Sequence, residues 1–340
     1  MRLLLITQVV DESDPYLSFF AGWIREFSKN FEHIHVICLK KGAHTAPANV
    51  QVHSLGKEIK ESRLQYVTRL FLHIWKLRRE YDAVLVHMNQ EYILVAGWLW
   101  ILLRKRIYMW RNHYAGNLLT DCAATFCTKV FCTSKFSYTA KYKKTELMPV
   151  GIDTAAFKPL ESVNRKERSI LFFGRLAPSK RPDMLLTTLK KLEIRGVSYS
   201  ASFCGSPMPE HASYRDRLLE GAKSLSSVSF FEGVPNAQAP KVFNEHDIFV
   251  DLSVSGMYNK TIFEAAACGC LVLAASLDFA ELAGHGSAFR EDGSDLTEKL
   301  EALLLMPKDE KARERGRMRS IAETQNLSSL VRRLATSISS

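Results

Sequence analysis

The sequence contains no run of about 18 apolar residues, the length a membrane-spanning helix needs. The nearest stretch, Ile93 to Leu103, is too short and ends at Arg104-Lys105-Arg106. The opening apolar run Leu3-Leu4-Leu5-Ile6 is too short for a signal-peptide core and has no small-residue cleavage site after it. It reads as a first strand. Also missing is a Gly-x-Gly-x-x-Gly turn, so a nicotinamide-dinucleotide enzyme loses its main support. There is no Gly-x-x-x-x-Gly-Lys-Ser/Thr loop, which excludes a P-loop NTPase. The seven cysteines form no C-x-x-C pair, which argues against structural zinc and for reduced thiols in a cytoplasmic protein. No D-x-D set stands near the candidate site, and no metal or cofactor is expected.

What remains is a chain of 340 residues, 46% hydrophobic and 24% charged, with a net charge of +10. That length predicts two domains, each able to bury a core. The charge is uneven. Residues 1–150 hold 21 Lys+Arg against 12 Asp+Glu, and the rest are nearly balanced. A basic half favours anionic partners. Nucleic acid is not expected, because the aromatics follow core spacing and are not interleaved with basic residues on one face.

Strand-like and helix-like segments alternate. Residues 2–7, 33–39, 83–87, 107–110 and 130–133 read as strands, with helices over 16–31, 64–79 and 91–103 between them. In the helix over 64–79, Leu64, Val67, Phe71, Ile74 and Trp75 are expected to face inward. Alternation resumes with strands over 169–173, 200–204, 228–231, 248–252 and 271–275, and helices over 182–195, 238–245 and 261–268. This is the pattern of parallel α/β sheets. The expected division is a Rossmann-like domain over 1–150, a polar linker over 151–168, a second Rossmann-like domain over 169–325, and a helix over 326–340 that packs back on the first domain.

Parallel sheets bind ligands at the carboxyl ends of their strands. One strand there ends in Phe173-Gly174-Arg175-Leu176, with Lys180-Arg181-Pro182 opening the next helix. Two cations beside a helix N-terminus form a diphosphate site. Glu264, among small apolar residues, needs hydrogen-bond donors, and vicinal ribose hydroxyls would supply them.

These segments, in order, resemble a family 4 glycosyltransferase of the GT-B fold, the retaining, nucleotide-sugar-dependent kind. The residues that carry the resemblance are Pro149-Val150-Gly151-Ile152-Asp153 with Phe157-Lys158-Pro159, then Phe173-Gly174-Arg175-Leu176 with Lys180. Phe203-Cys204-Gly205, Phe231-Glu232-Gly233 and Glu264-Ala265-Ala266-Ala267-Cys268-Gly269 follow. The resemblance covers the second half well and the first loosely. It implies two doubly wound domains facing across a cleft. It also implies a diphosphate held by Arg175 and Lys180 against the Gly174 and Gly205 turns, ribose on Glu264, and an active-site histidine, for which His113 is the candidate. The departing phosphate would itself take the acceptor proton.

Two segments depart from the family pattern. Gly256 stands where a donor-sugar carboxylate is usual, in Ser255-Gly256-Met257-Tyr258-Asn259-Lys260-Thr261. Asn259 or Lys260 is expected to supply the missing contact, Lys260 toward phosphate. The exit of the first strand lacks the usual glycines, so Asp11, Asp14 and Tyr16, with His87, Asn89 and Glu91 from another exit, are candidates for the acceptor side. The expected activity is transfer of a sugar from a nucleotide diphosphate to an acceptor hydroxyl of a glycolipid or polysaccharide precursor, without a metal. The alternative is a catalytically weak or inactive nucleotide-sugar-binding partner protein. Further expected partners are the acceptor glycan and an anionic membrane surface, with peripheral attachment at its inner face.

Overall fold

The computed structural model describes residues 1–14, 17–256 and 258–340. The N-terminal unit comprises Met1–Gly151 and Leu327–Ser340, and the C-terminal unit comprises Ile152–Asn326. In the first, strands β1 (Arg2–Val10), β2 (His33–Lys41), β3 (Val50–Ser54), β4 (Ala83–His87), β5 (Arg106–Trp110), β6 (Lys129–Cys132) and β7 (Thr145–Leu147) form a sheet in the order 3-2-1-4-5-6-7. All of its strand pairs are parallel. The strands are joined by α1 (Phe19–Ser28), α2 (Arg63–Leu77), α3 (Glu91–Leu102) and α4 (Leu118–Phe126).

The C-terminal unit has a parallel sheet of β8 (Lys166–Phe173), β9 (Ser200–Cys204), β10 (Val228–Phe231), β11 (His246–Asp251) and β12 (Leu271–Ala274), ordered 10-9-8-11-12. Its helices are α5 (Pro182–Ile194), α6 (Ala212–Ala222), α7 (Ala239–Glu245), α8 (Lys260–Ala267), α9 (Leu277–Ala283), α10 (Leu296–Leu305) and α11 (Lys308–Glu323). The chain then returns to the first unit as α12 (Leu327–Ser339). Among the described residues, no helix is long and apolar enough to cross a membrane.

The central strands are apolar at consecutive positions because parallel sheets are covered on both faces. Leu3 and Leu5 pack against α1 and α12, while Leu4 and Ile6 face the core shared by α2, α3 and α4. On α12, Leu330, Val331, Leu334 and Ile338 are fully buried. Each contributes roughly 1.5–3 kcal/mol by leaving water, and the Tyr108 hydroxyl donates to the Ile338 carbonyl at 3.1 Å.

The polar segment expected as a linker packs within the C-terminal unit from Ile152 onward. Phe157 is buried. Asn244 accepts from Leu160 N at 2.9 Å and donates to the Lys158 carbonyl at 2.9 Å. Arg165 donates to the carbonyls of Phe243 and Cys268. Polar text here marks backbone carbonyls being satisfied by side chains. A buried charge cluster closes the amino end of β11. Asp247 accepts from Lys311 at 2.7 Å, from Arg168 N at 3.1 Å, and from Arg315, so α11 is tied to the amino end of β11 by charge as well as by packing.

Helix α2 differs from the expected orientation. Leu70, Ile74 and Leu77 are its buried residues, whereas Leu64 and Trp75 are exposed. The helix carries apolar residues on both faces, and spacing alone does not choose between them.

A row of histidines crosses β2, β3 and α2. The His33 and His35 rings lie 4.6 Å apart, His35 and His53 5.4 Å, and His53 and His73 5.1 Å. Burial pushes His35, His53 and His73 below the ordinary histidine value, His53 to about 4. Arg2, Lys41, Arg69 and Lys76 also disfavour the charged rings, and Glu80 alone favours that of His35. A ring whose pKa is lower folded than unfolded takes its proton on unfolding. Stability is therefore full above about pH 6.5 and falls as pH drops toward 4. Thermal melts from pH 7 to pH 4.5 should show a falling midpoint, less steeply in His53→Gln; parallel profiles would refute the assignment.

Candidate active site

The carboxyl ends of β8, β9 and β11 bring together Lys180, Asp251, Ser253 and Asn259 beside the Gly174 and Gly205 turns. Gly174 and Gly205 end β8 and β9. A Cβ on Gly205 would lie 1.8 Å from the Gly174 carbonyl oxygen, so the two strand exits touch through bare backbone. Gly174 N donates to the Cys204 carbonyl at 3.0 Å, and Gly205 N to that of Phe231 at 2.9 Å. These turns leave bare backbone at the strand exits; Arg175 follows Gly174 directly and Lys180 lies five residues further on.

Lys180 is the more constrained cation. Its Nζ donates to Asn259 Oδ1 at 2.7 Å and to Ser253 Oγ at 3.2 Å, using two of the three ammonium donors. Behind it lies Asp251, the last residue of β11 and buried. Asp251 accepts from Asn259 Nδ2 at 2.8 Å and from Ser253 N at 3.1 Å. Burial lowers the Lys180 pKa and raises that of Asp251, each opposed by the other's charge. Arg175 is exposed, with Nη1 3.3 Å from Met208 Sδ, and its charge adds to the lowering at Lys180. Arg181, in a left-handed conformation at φ +50°, caps the start of α5 and donates to the Leu252 and Glu291 carbonyls. It is thereby a structural arginine.

The loop from Ser253 to Asn259 is tied at several points. Ser255 donates to Glu291, Gly256 N lies 3.5 Å from Asp278 Oδ2, and the Tyr258 hydroxyl reaches the Asp278 carbonyl at 3.4 Å. Gly256 has φ +82°. An L-residue in that conformation costs about 1–2 kcal/mol, so a carboxylate placed there would be strained. Asn259 turns toward Asp251 and Lys180. Lys260 begins α8 and lies 3.9 Å from Glu264. The pair is largely buried, with side chains 22% and 6% exposed, so Lys260 is no solvated first-turn residue. Burial lowers Lys260 and raises Glu264, each opposed by the other's charge, while Asp153 favours the charged lysine and the neutral glutamate. Thr261 follows, half-buried.

Removing Lys260 leaves Glu264 without its countercharge. Lys260→Ala should weaken nucleotide binding about tenfold, the scale of one charge-assisted contact. Calorimetric titration with nucleoside diphosphates checks this; an unchanged Kd would confine the pair to packing.

The other candidates belong to the N-terminal unit. His113 follows β5, stacks on Tyr114 at 4.6 Å, and accepts from Ala115 N through Nδ1 at 2.9 Å. The Ala115 carbonyl oxygen also lies 3.2 Å from that Nδ1, so the ring is held against the Ala115 backbone on both sides of the peptide. Asp11 and Asp14 lie 3.3 Å and 3.9 Å from Lys40 Nζ, and Asp14 also accepts from Leu17 N at 2.9 Å. His87 is an interior residue, 5% exposed, stacked on Phe20 at 4.3 Å with Thr7 Oγ1 3.4 Å from its Nδ1. Asn89 is half-buried, and Glu91 is an exposed first-turn residue of α3. Tyr16 lies outside the described residues. Sequence reasoning missed Asp251 and Ser253. The available signal was a carboxylate at the end of an apolar strand, which is costly without partners. Among the described residues, no three His, Cys, Asp or Glu side chains gather to hold a metal ion.

Two parallel-sheet α/β units of this kind define the GT-B fold class, to which the solved structures of similar fold belong. Anabaena Alr3699/HepE in complex with UDP and glucose superposes with a TM-score of 0.79 at 18% identity, covering 100% of both chains. Sucrose-phosphate synthase from Thermosynechococcus elongatus gives 0.77 at 14%, covering 99% of this chain and 98% of that one. In sequence, residues 167–306 match the family profile of glycosyl transferases group 1. The D-inositol 3-phosphate glycosyltransferase of Segniliparus rotundus is 26% identical over 151 residues, 41% of this chain and 33% of that protein. That of Rhodococcus jostii is 30% identical over 131 residues, 37% of this chain and 29% of that protein. The chain spans about a third of the length of the curated relatives it matches.

Proposed function

We propose that this protein is a retaining, family 4 glycosyltransferase that moves a sugar from a nucleoside diphosphate to an acceptor hydroxyl without a metal ion. The observation that carries this reading is Lys180, an ammonium fixed at a sheet's carboxyl end with two donors engaged. Its third donor is available to a diphosphate oxygen. In this reading Lys180 and Arg175 stabilise the negative charge that grows on the leaving diphosphate, and such charge stabilisation is usually what lowers the barrier most. The bare turns at Gly174 and Gly205 let the phosphates approach the backbone, and Glu264 takes the ribose hydroxyls. His113 is proposed as the active-site histidine that the family resemblance implies, and the leaving phosphate as the group that takes the acceptor's proton. The match of residues 167–306 to group 1 glycosyl transferases supports the reading. The uridine nucleotide bound by Anabaena Alr3699/HepE makes UDP-sugars the first donors to test.

The acceptor in this proposal is a glycolipid or polysaccharide precursor. Seven free cysteines, six of them buried, support action in a reducing compartment. A thermal-shift screen of UDP, GDP and ADP with their sugars comes first, since a ligand bound only to the folded state raises its stability. Donor hydrolysis and transfer with and without EDTA come next. Turnover that survives EDTA supports the cationic clamp. Loss restored by Mg²⁺ or Mn²⁺ refutes it, and tight binding without turnover would make the protein a nucleotide-sugar-binding partner instead.

A further inference from the structure

We infer that the outer face of α2 and α3 is a docking surface for an anionic phospholipid bilayer. Leu64, Leu72 and Trp75 on α2, and Trp98, Ile101 and Leu102 on α3, are each more than half exposed. Positions 64, 72 and 75, and 98, 101 and 102, follow helical spacing, so each set shares one side of its helix. The helices are neighbours on the sheet: the Phe71 and Trp98 rings lie 6.0 Å apart. Six large apolar side chains on two adjacent helices exceed the scattered exposure normal for a monomer surface.

The interiors of both helices are already accounted for. Leu70, Ile74 and Leu77, and Ile93, Ala96, Leu99 and Trp100, fill the core beneath them. The exposed set is therefore a second apolar face that the fold itself does not use. The Trp98 indole N–H is satisfied within its own helix, donating to the Val95 carbonyl at 2.9 Å. The surface thus presents the ring without an unmet donor.

Charge selects the occupant. Residues 63–106 hold eight Lys or Arg and three Asp or Glu. Of the three acids, Asp82 is paired with Arg2 at 2.8 Å and Glu80 lies 3.2 Å from His35. Helix α2 has no acidic residue at all. The Arg78 guanidinium lies 4.5 Å over the Trp75 ring, and Arg104-Lys105-Arg106 closes the end of α3. Arg69 is paired with Glu61 and Lys105 with the Tyr81 carbonyl, but Arg78 over Trp75 and the exposed Arg104 after Leu102 stay beside the apolar face. Tryptophan and leucine flanked by arginine is the composition of a helix lying in the headgroup layer of an anionic membrane. A second copy would bring two cationic rims together, which like-charge repulsion opposes. The inference does not depend on the reaction proposed above.

The full chain should co-sediment with mixed phosphatidylglycerol–phosphatidylcholine vesicles roughly a hundredfold more strongly than with phosphatidylcholine alone, at about a kilocalorie per basic residue near the surface. The difference should shrink with salt. Trp75→Ser with Trp98→Ser should lower partitioning at least about tenfold while leaving the melting temperature unchanged. Leu72→Ser with Leu102→Ser serves the same end should the first pair impair folding. Equal binding to both vesicle types, or full binding by both double variants, overturns the inference. So does the absence of vesicle binding together with a concentration-dependent dimer that the tryptophan variant abolishes, which would make a second copy the occupant.

Discussion

Lys180→Ala should weaken binding of a nucleoside diphosphate by about 10- to 150-fold, since a hydrogen bond to a charged group contributes about 1.5–3 kcal/mol. Transfer should slow at least as much, because the charge that Lys180 meets is larger in the transition state than in the bound donor. Arg175→Ala should act in the same direction. Asp251→Asn probes the positioning of Lys180. The amide keeps the size of the side chain but removes the negative charge beside the ammonium, which lowers the Lys180 pKa further. The pH at which nucleotide binding is lost should therefore move down in Asp251→Asn, a shift that loss of packing alone would not produce. Calorimetric titration across pH measures it. Parent-like binding in both Lys180→Ala and Arg175→Ala would place the donor elsewhere.

Asp247→Ala should destabilise the C-terminal unit by about 3–5 kcal/mol, the cost of breaking a buried ion pair by removing one partner. Lys311 is only 10% exposed at its side chain, and Arg315 28%, so both would keep charge in poorly hydrated surroundings. Replacing Asp247 and Lys311 together by Leu and Met should restore part of the loss, because it removes the buried Lys311 charge while Arg315 still lacks its partner. Urea unfolding followed by tryptophan-independent probes such as far-UV circular dichroism gives both values. Two-unit chains need not unfold in one transition, so each phase is fitted separately. A double variant no more stable than Asp247→Ala would mean that the charges specify the α11 position and are not merely a substitutable pair.

The sheet pattern is legible in the sequence because central parallel strands carry runs of consecutive apolar residues and the helices between them are periodic. The two edge strands of the N-terminal unit are not, unlike β10 and β12 at the edges of the other sheet. Val50–Ser54 and Thr145–Leu147 are short and half-polar, and they become strands only because β2 and β6 offer them backbone partners. The orientation of α2 escapes the sequence for a related reason. Leu64 and Trp75 sit at core spacing, but the face they define meets solvent, and only the neighbours in space decide which apolar side is covered. At the site, glycines and cations at strand ends can be read from the sequence. The carboxylate of Asp251 at the end of an apolar strand can be noticed there too, but its partner cannot, because Asn259, eight residues later, turns back to meet it.

The return of α12 to the N-terminal unit also orders events during synthesis. The core face built from Leu3, Phe20, Trp23 and Phe27 is completed by Leu330, Leu334 and Ile338. The intervening Ile152–Asn326 segment must be made first. At about 5–20 residues per second its 175 residues take roughly 10–35 s. For that interval the nascent first unit carries an uncovered apolar stripe beside α1, the period in which a chaperone would find its binding surface and in which aggregation would compete with folding.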